Sequence, residues 1–183
     1  MNGALKAEQY YTYEEWLEMD GSERSELING EIYMMAPPMR EHQKILTEIF
    51  GQLWTFLKDK PCQIYPAPFG VKLQKEEDTV LQPDISVICD LSKLNDKGCV
   101  GAPNLIVEIL SPSTARYDKF TKFHEYRRAG VLEYWIVAPD EKIMTAYRLV
   151  DGEYHAEVYS NTNVAPVQVL PGCEIDLSFV FRE

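Results

Sequence analysis

Leu46, Ile49, Phe50, Leu53, Trp54 and Leu57 recur three and four residues apart. That spacing gathers them on one side of a 3.6-residue helix, so it predicts an amphipathic helix that starts at His42 and is stopped by Pro61. Phe50 and Trp54 fit the same stripe and are read as core. A shorter helix begins at Thr12, where Glu15 three residues on completes a capping box, and ends near Asp20-Gly21. Leu27 to Met35 alternates about Asn29-Gly30, the signature of a small hairpin, and Pro37-Pro38 breaks it. Ile85 to Cys89, Leu105 to Leu110 and Glu133 to Val137 are short apolar runs of strand type, with a turn-rich loop from Leu91 to Pro103 between the first two. A second helix is predicted over Asp118 to Ala129, closed by Gly130. Beyond Pro139-Asp140 the chain reads as a meander, Lys142 to Leu149 and Tyr154 to Tyr159, and its tail as a strand, Ile175 to Phe181. The order is that of an α/β domain on a mixed central sheet flanked by helices.

Length and composition change this picture little. The 183 residues, 45% of them hydrophobic, suffice for one core, so a single domain over 1–183 is expected, with an arm over about 1–11. No run reaches the roughly 18 apolar residues of a membrane span, and Met1 to Gln9 has no signal-peptide pattern. Cys62, Cys89, Cys99 and Cys173 lack the spacing of zinc ligands, which points to a cytoplasmic protein with free thiols. The net charge of −11 argues against a protein that coats nucleic acid. It argues only weakly against a nuclease, because a local basic cleft or a bound metal reverses the field.

Two acids interrupt the apolar runs. Asp84 follows Pro83 at the start of one strand, and Glu108 lies within the next. A carboxylate inside an apolar strand needs a positive partner, and two on neighbouring strands make a site for a hard divalent cation. Projected at 100° per residue, the second helix has an apolar face of Phe120, Phe123, Tyr126 and Ala129. Lys119 lies near its centre and Lys122 on its flank, while Thr121, His124, Glu125 and Arg128 point away. Lysines in the first turns oppose the helix dipole, so carboxylates or a phosphate are expected opposite them. Each residue also has an ordinary explanation. Asp after Pro is a common turn former, Glu108 could pair with an arginine, and Lys122 could pair with Asp118 one turn away.

Pro83-Asp84, the block Glu108-Ile109-Leu110-Ser111-Pro112-Ser113-Thr114, then Asp118, Lys122, Tyr126 to Val131 and Glu133 to Val137 together resemble the Uma2 family. Glu26 to Glu31 is similar to that family's N-terminal signature, and His42 stands where the family often has a histidine. The resemblance runs from Thr12 to the final strand. It implies a restriction-endonuclease-like fold of the PD-(D/E)XK nuclease superfamily. The usual lysine, two residues after the glutamate, is replaced here by Leu110, which implies that Lys122 serves instead, with Lys119 as a substitute.

The implied activity is Mg²⁺-dependent hydrolysis of phosphodiester bonds in DNA, with Mn²⁺ as an alternative ion. Asp84, Glu108 and the carbonyl of Ile109 would hold the metal, Lys122 would orient water or stabilise developing charge, and Glu26 would be the N-terminal acid. Glu31 is less favoured, and His42 is treated as an ordinary helix-start histidine. Arg116, Tyr117, Arg127 and Arg128 form a candidate phosphate rim. A homodimer or higher homo-oligomer is expected, with the meander from Lys142 to Tyr159 as a candidate surface. Two rivals stand beside this reading: a non-catalytic binding or assembly domain that keeps the fold, and hydrolysis of another phosphate-containing substrate.

Overall fold

The computed structural model describes residues 10–19, 24–111 and 118–182, with 118 and 119 by backbone only. Strands are numbered along the chain. The first sheet contains β1 (Ser25–Ile28), β2 (Glu31–Met34), β4 (Val71–Lys72), β5 (Val80–Leu81), β7 (Leu94–Asn95) and β8 (Gly98–Val100). The second contains β3 (Gln63–Pro66), β6 (Ile85–Ile88), β9 (Leu105–Ile109), β10 (Glu133–Ala138), β11 (Ile143–Val150) and β12 (Glu153–Ser160). Their spatial orders are β2-β1-β5-β4-β8-β7 and β12-β11-β10-β9-β6-β3. β9 and β10 run parallel and β6 pairs antiparallel with β9, so the second sheet is mixed. β13 (Val164–Pro166) and β14 (Glu174–Asp176) form a small third pair.

The second sheet is covered on both faces, which is why its inner strands read as apolar runs without alternation. On one face Ile85, Val87, Val107, Trp135 and Val137 meet α2 (Arg40–Leu57) through Ile45, Ile49, Leu53 and Leu57. On the other face Ile88, Ile106, Tyr134 and Ile136 meet Ile28, Val71 and Leu81 of the first sheet. Tyr126 of α3 (Phe123–Ala129) joins the same cluster.

Local signals hold closely in three places. Thr12 caps α1 (Tyr13–Glu18) in a complete capping box with Glu15. Asn29 and Gly30, at φ +50° and +81°, make the primed turn that joins β1 to β2. Gly130, at φ +86°, ends α3 in the left-handed conformation.

Elsewhere the structure corrects the expectation. Trp54 is 48% exposed, with the Lys58 ammonium over its ring, because the buried stripe of α2 runs through positions four apart that start at Ile45. The loop from Leu91 to Pro103 contains β7 and β8. The tail is only briefly a strand: Asp176 caps α4 (Leu177–Val180), its carboxylate accepting from the Ser178 N–H at 2.9 Å. Two of the four thiols are not free. Gln63 pairs with Ile88 across β3 and β6, so the next pair outward is Cys62 and Cys89, and these form a disulfide. Cys99 and Cys173 are buried free thiols whose pKa values burial pushes up to about 11. No helix among the described residues is long and apolar enough to cross a membrane.

Candidate active site

Alternation along β9 decides where Glu108 faces. Val107 and Ile109 pack toward α2, whereas Ile106 and Leu110 pack toward the first sheet, so Glu108 points with them into the space between the sheets. Glu26, two residues before Ile28 on β1, enters that space from the opposite side. The two glutamates are 3% and 2% exposed. Lys122, itself 2% exposed, lies between them. Its ammonium is 2.9 Å from Glu108 Oε1 and 3.0 Å from Glu26 Oε1. The Asp118 side chain, the alternative partner of Lys122, lies outside the described residues, and the cation described beside Glu108 is Lys122.

Further donors fix both carboxylates. The Tyr126 hydroxyl donates to Glu108 Oε1 at 2.7 Å, and the Gln82 N–H donates to Glu26 Oε1 at 2.8 Å. Burial, and then the charges of Glu108 and Glu26, hold the Tyr126 hydroxyl far above its ordinary pKa, so it remains a donor.

Asp84 stands at the rim of the same space. Ile85 pairs with Val107, so Asp84, one residue earlier, is opposite Glu108. Pro83 offers no N–H to a ladder, and the β6–β9 pairing stops here. The Asp84 carboxylate takes over: Oδ2 accepts the Ile109 N–H at 2.7 Å. Ile109 therefore reaches the site through its amide. His42, in the first turn of α2, places Nε2 3.1 Å from the same Oδ2, so it is part of the site rather than an ordinary helix-start histidine. Because a carboxylate only accepts, Nε2 carries the proton, and the buried Nδ1 has no hydrogen-bond partner among the described residues.

Asp84, Glu108, Glu26 and Lys122 are thus brought together. Lys119 shares the helical segment, but its side chain lies outside the described residues. Phe120 is 63% exposed rather than on the apolar face, because Asp118–Lys122 forms a π-helical turn whose wider spacing invalidates a 100° projection. Arg116 and Tyr117 of the expected rim lie outside the described residues. Arg127 pairs with Glu153, and Arg128 with Glu77 and Glu125, all on the surface. Glu31 is exposed and accepts from the Tyr33 hydroxyl. The sequence reading missed Tyr126, taken only as apolar, although its position one turn after Lys122 put both on one side of the helix.

With all groups ionised, Glu26, Glu108 and Asp84 outweigh the Lys122 ammonium by two negative charges. No described group bonds Asp84 Oδ1. Among the described residues no three His, Cys, Asp or Glu side chains form a closed cage for a metal. This donor set fits a hard cation such as Mg²⁺, which uses one or two carboxylates and keeps much of its water. It does not fit zinc, which takes a closed nitrogen and sulfur shell in structural sites.

The chain is similar to several known proteins. The model of the Uma2 family, described as "Putative restriction endonuclease", matches residues 7–178. Two uncharacterized proteins of Synechocystis, slr1290 and sll1609, are similar. The first is 27% identical over 139 residues, covering 76% of this chain and 70% of its own length. The second is 30% identical over 135 residues, covering 73% of each. The crystal structure of a "putative nuclease belonging to DUF820" from Anabaena variabilis superposes with a TM-score of 0.76. The match covers 93% of this chain and 97% of that one at 21% identity, and it shows a shared fold. The chain belongs to the Uma2 family and has its restriction-endonuclease-like fold.

Proposed function

We propose that this protein is a Mg²⁺-dependent endonuclease that hydrolyses phosphodiester bonds in DNA. The observation that carries the reading is the buried Lys122 ammonium held between Glu108 and Glu26, across the strand pair from Asp84. A structural ion pair needs one acid for one base, whereas this ammonium meets two acids, with a third carboxylate held by His42 and the Ile109 N–H at the rim.

Asp84 and Glu108 would hold the metal. When bound, Mg²⁺ would polarise the scissile phosphate and lower the pKa of a coordinated water. Lys122, its positive charge fixed by two carboxylates, would stabilise charge developing on the phosphate. Tyr126 and Gln82 keep Glu108 and Glu26 from rotating away. His42 and the Ile109 N–H hold Asp84 Oδ2, which leaves Oδ1 for the cation. Mn²⁺, with the same preference for oxygen ligands, would substitute. Cutting both strands of a duplex takes two such sites, so the reading includes a two-fold homo-oligomer. It also places the protein in the cytoplasm, with its substrate.

Two observations favour a second reading, a binding or assembly domain on the same fold. Lys122 already neutralises part of the acidic cluster, and no three-ligand cage is present among the described residues.

Labelled duplex DNA, single-stranded DNA and RNA, each incubated with Mg²⁺ or Mn²⁺ and with a chelator, separate the readings. Endonucleolytic cutting of DNA that the chelator stops is the expected result. Intact substrates with both ions would favour the assembly domain, and cutting of RNA alone would correct the substrate.

A further inference from the structure

In a chain of net charge −11, one pocket is basic. A cavity of about 320 Å³ is lined by Arg40, Glu41, Lys44, Lys142, Phe181 and Arg182, four cations to one acid over an aromatic floor. That volume is at the lower end of ligand pockets, roughly 300–1,000 Å³. Its cations come from three distant stretches of chain, so their convergence is a product of the fold.

The walls are fixed. Lys44 donates from Nζ to the Arg182 carbonyl, and the Arg182 guanidinium is 2.6 Å from Glu48 and lies over the Phe179 ring. Lys142 sits in a tight turn at φ +51°, its N–H bonded to the Pro139 carbonyl at 3.1 Å. Arg40 has no ion pair among the described residues. The first turn of α2 has no side-chain cap, so its N–H groups add positive potential.

Arg40 and Glu41 immediately precede His42, which reaches Asp84. β10 runs parallel to β9, so the turn that follows it and carries Lys142 lies at the end of the sheet where Glu108 and Ile109 are. The cations of the pocket and the acids of the site therefore share one end of the second sheet. A polyanion that enters the acidic site needs such a positive neighbour to offset the chain's overall charge.

We propose that this pocket binds a phosphate of the DNA backbone flanking the scissile bond, and so seats the strand at Asp84 and Glu108. The inference rests on the nuclease reading for its ligand, and on the convergence of charge for its location.

The test uses full-length protein in Ca²⁺ buffer without Mg²⁺, a fluorescent duplex oligonucleotide read by anisotropy, and pyrophosphate read by calorimetry. The variants are Arg40→Ala with Lys142→Ala, and Glu41→Gln, which removes the pocket's one acid. The double variant should bind the duplex about tenfold more weakly, and its plot of log K against log salt should flatten by about two. Glu41→Gln should bind more tightly, a gain that damage to the fold cannot produce. Pyrophosphate binding should weaken in the double variant. If neither variant changes duplex affinity or salt slope while wild type still cuts DNA, the pocket assignment is overturned and the nuclease reading stands. If wild type binds pyrophosphate through these residues but binds no duplex, the DNA assignment of the pocket is overturned together with the nuclease reading.

Discussion

Lys122 is the residue on which the site turns. Its ammonium lies within 3.0 Å of two buried carboxylates, so its removal takes away the positive charge that separates Glu26 from Glu108. Breaking a buried pair by removing one partner costs about 3–5 kcal/mol, and Lys122→Met should destabilise the fold by that order. Adding Glu108→Gln should recover part of the loss, because it removes one of the two stranded charges. Urea unfolding of both variants and of the single Glu108→Gln measures the coupling. Additive effects would mean that the ammonium does not hold these acids together. Asp84, Glu108 and Lys122 stood out in the sequence because polar residues inside apolar runs are conspicuous. The choice of partner did not. Glu26 and Lys122 meet only because β1 belongs to a different sheet from β9, and no local pattern encodes that approach. His42 was undervalued for the same reason, since its contact with Asp84 crosses from a helix to a strand end.

Among the elements, β10 shows how a buried acid can serve the fold rather than the chemistry. Glu133 accepts from Trp135 Nε1 at 2.8 Å and from the Val169 N–H at 3.0 Å, which ties the segment before β14 to the sheet. Burial raises its pKa above the ordinary 4.5, although these donors pull the other way. The folded chain therefore keeps this proton to higher pH than the unfolded chain does. The contribution is fully present below pH 4.5 and is lost as pH rises through the raised value. Unfolding free energies measured across that window should fall more steeply in wild type than in Glu133→Gln. Equal slopes would show that Glu133 titrates normally. Elements with strong local signals, namely the capping box, the Asn29-Gly30 turn and the period of α2, were readable in advance. The π-helical turn that exposes Phe120 and the register that joins Cys62 to Cys89 were not, because the first breaks the assumed period and the second depends on pairing between strands. Asp176-Leu177-Ser178 carried a readable cap signal that the apolar tail obscured.

At the scale of the whole molecule, two sheets meet with their acids turned into the space between them, and the positive pocket lies at the same end. An overall charge of −11 would repel DNA if it were spread evenly. On the proposed reading, the basic pocket supplies positive charge where a backbone phosphate would approach the acids. The central claim is that Asp84 and Lys122 act in one metal-dependent site. Its most direct test is the nicking of supercoiled plasmid by purified wild type, Asp84→Asn and Lys122→Met, each shown to be folded, with Mg²⁺ and with a chelator. Wild type should relax and linearise the plasmid only when the metal is present, and both variants should leave it supercoiled. Equal cutting by wild type and Asp84→Asn would place the chemistry elsewhere and contradict the account.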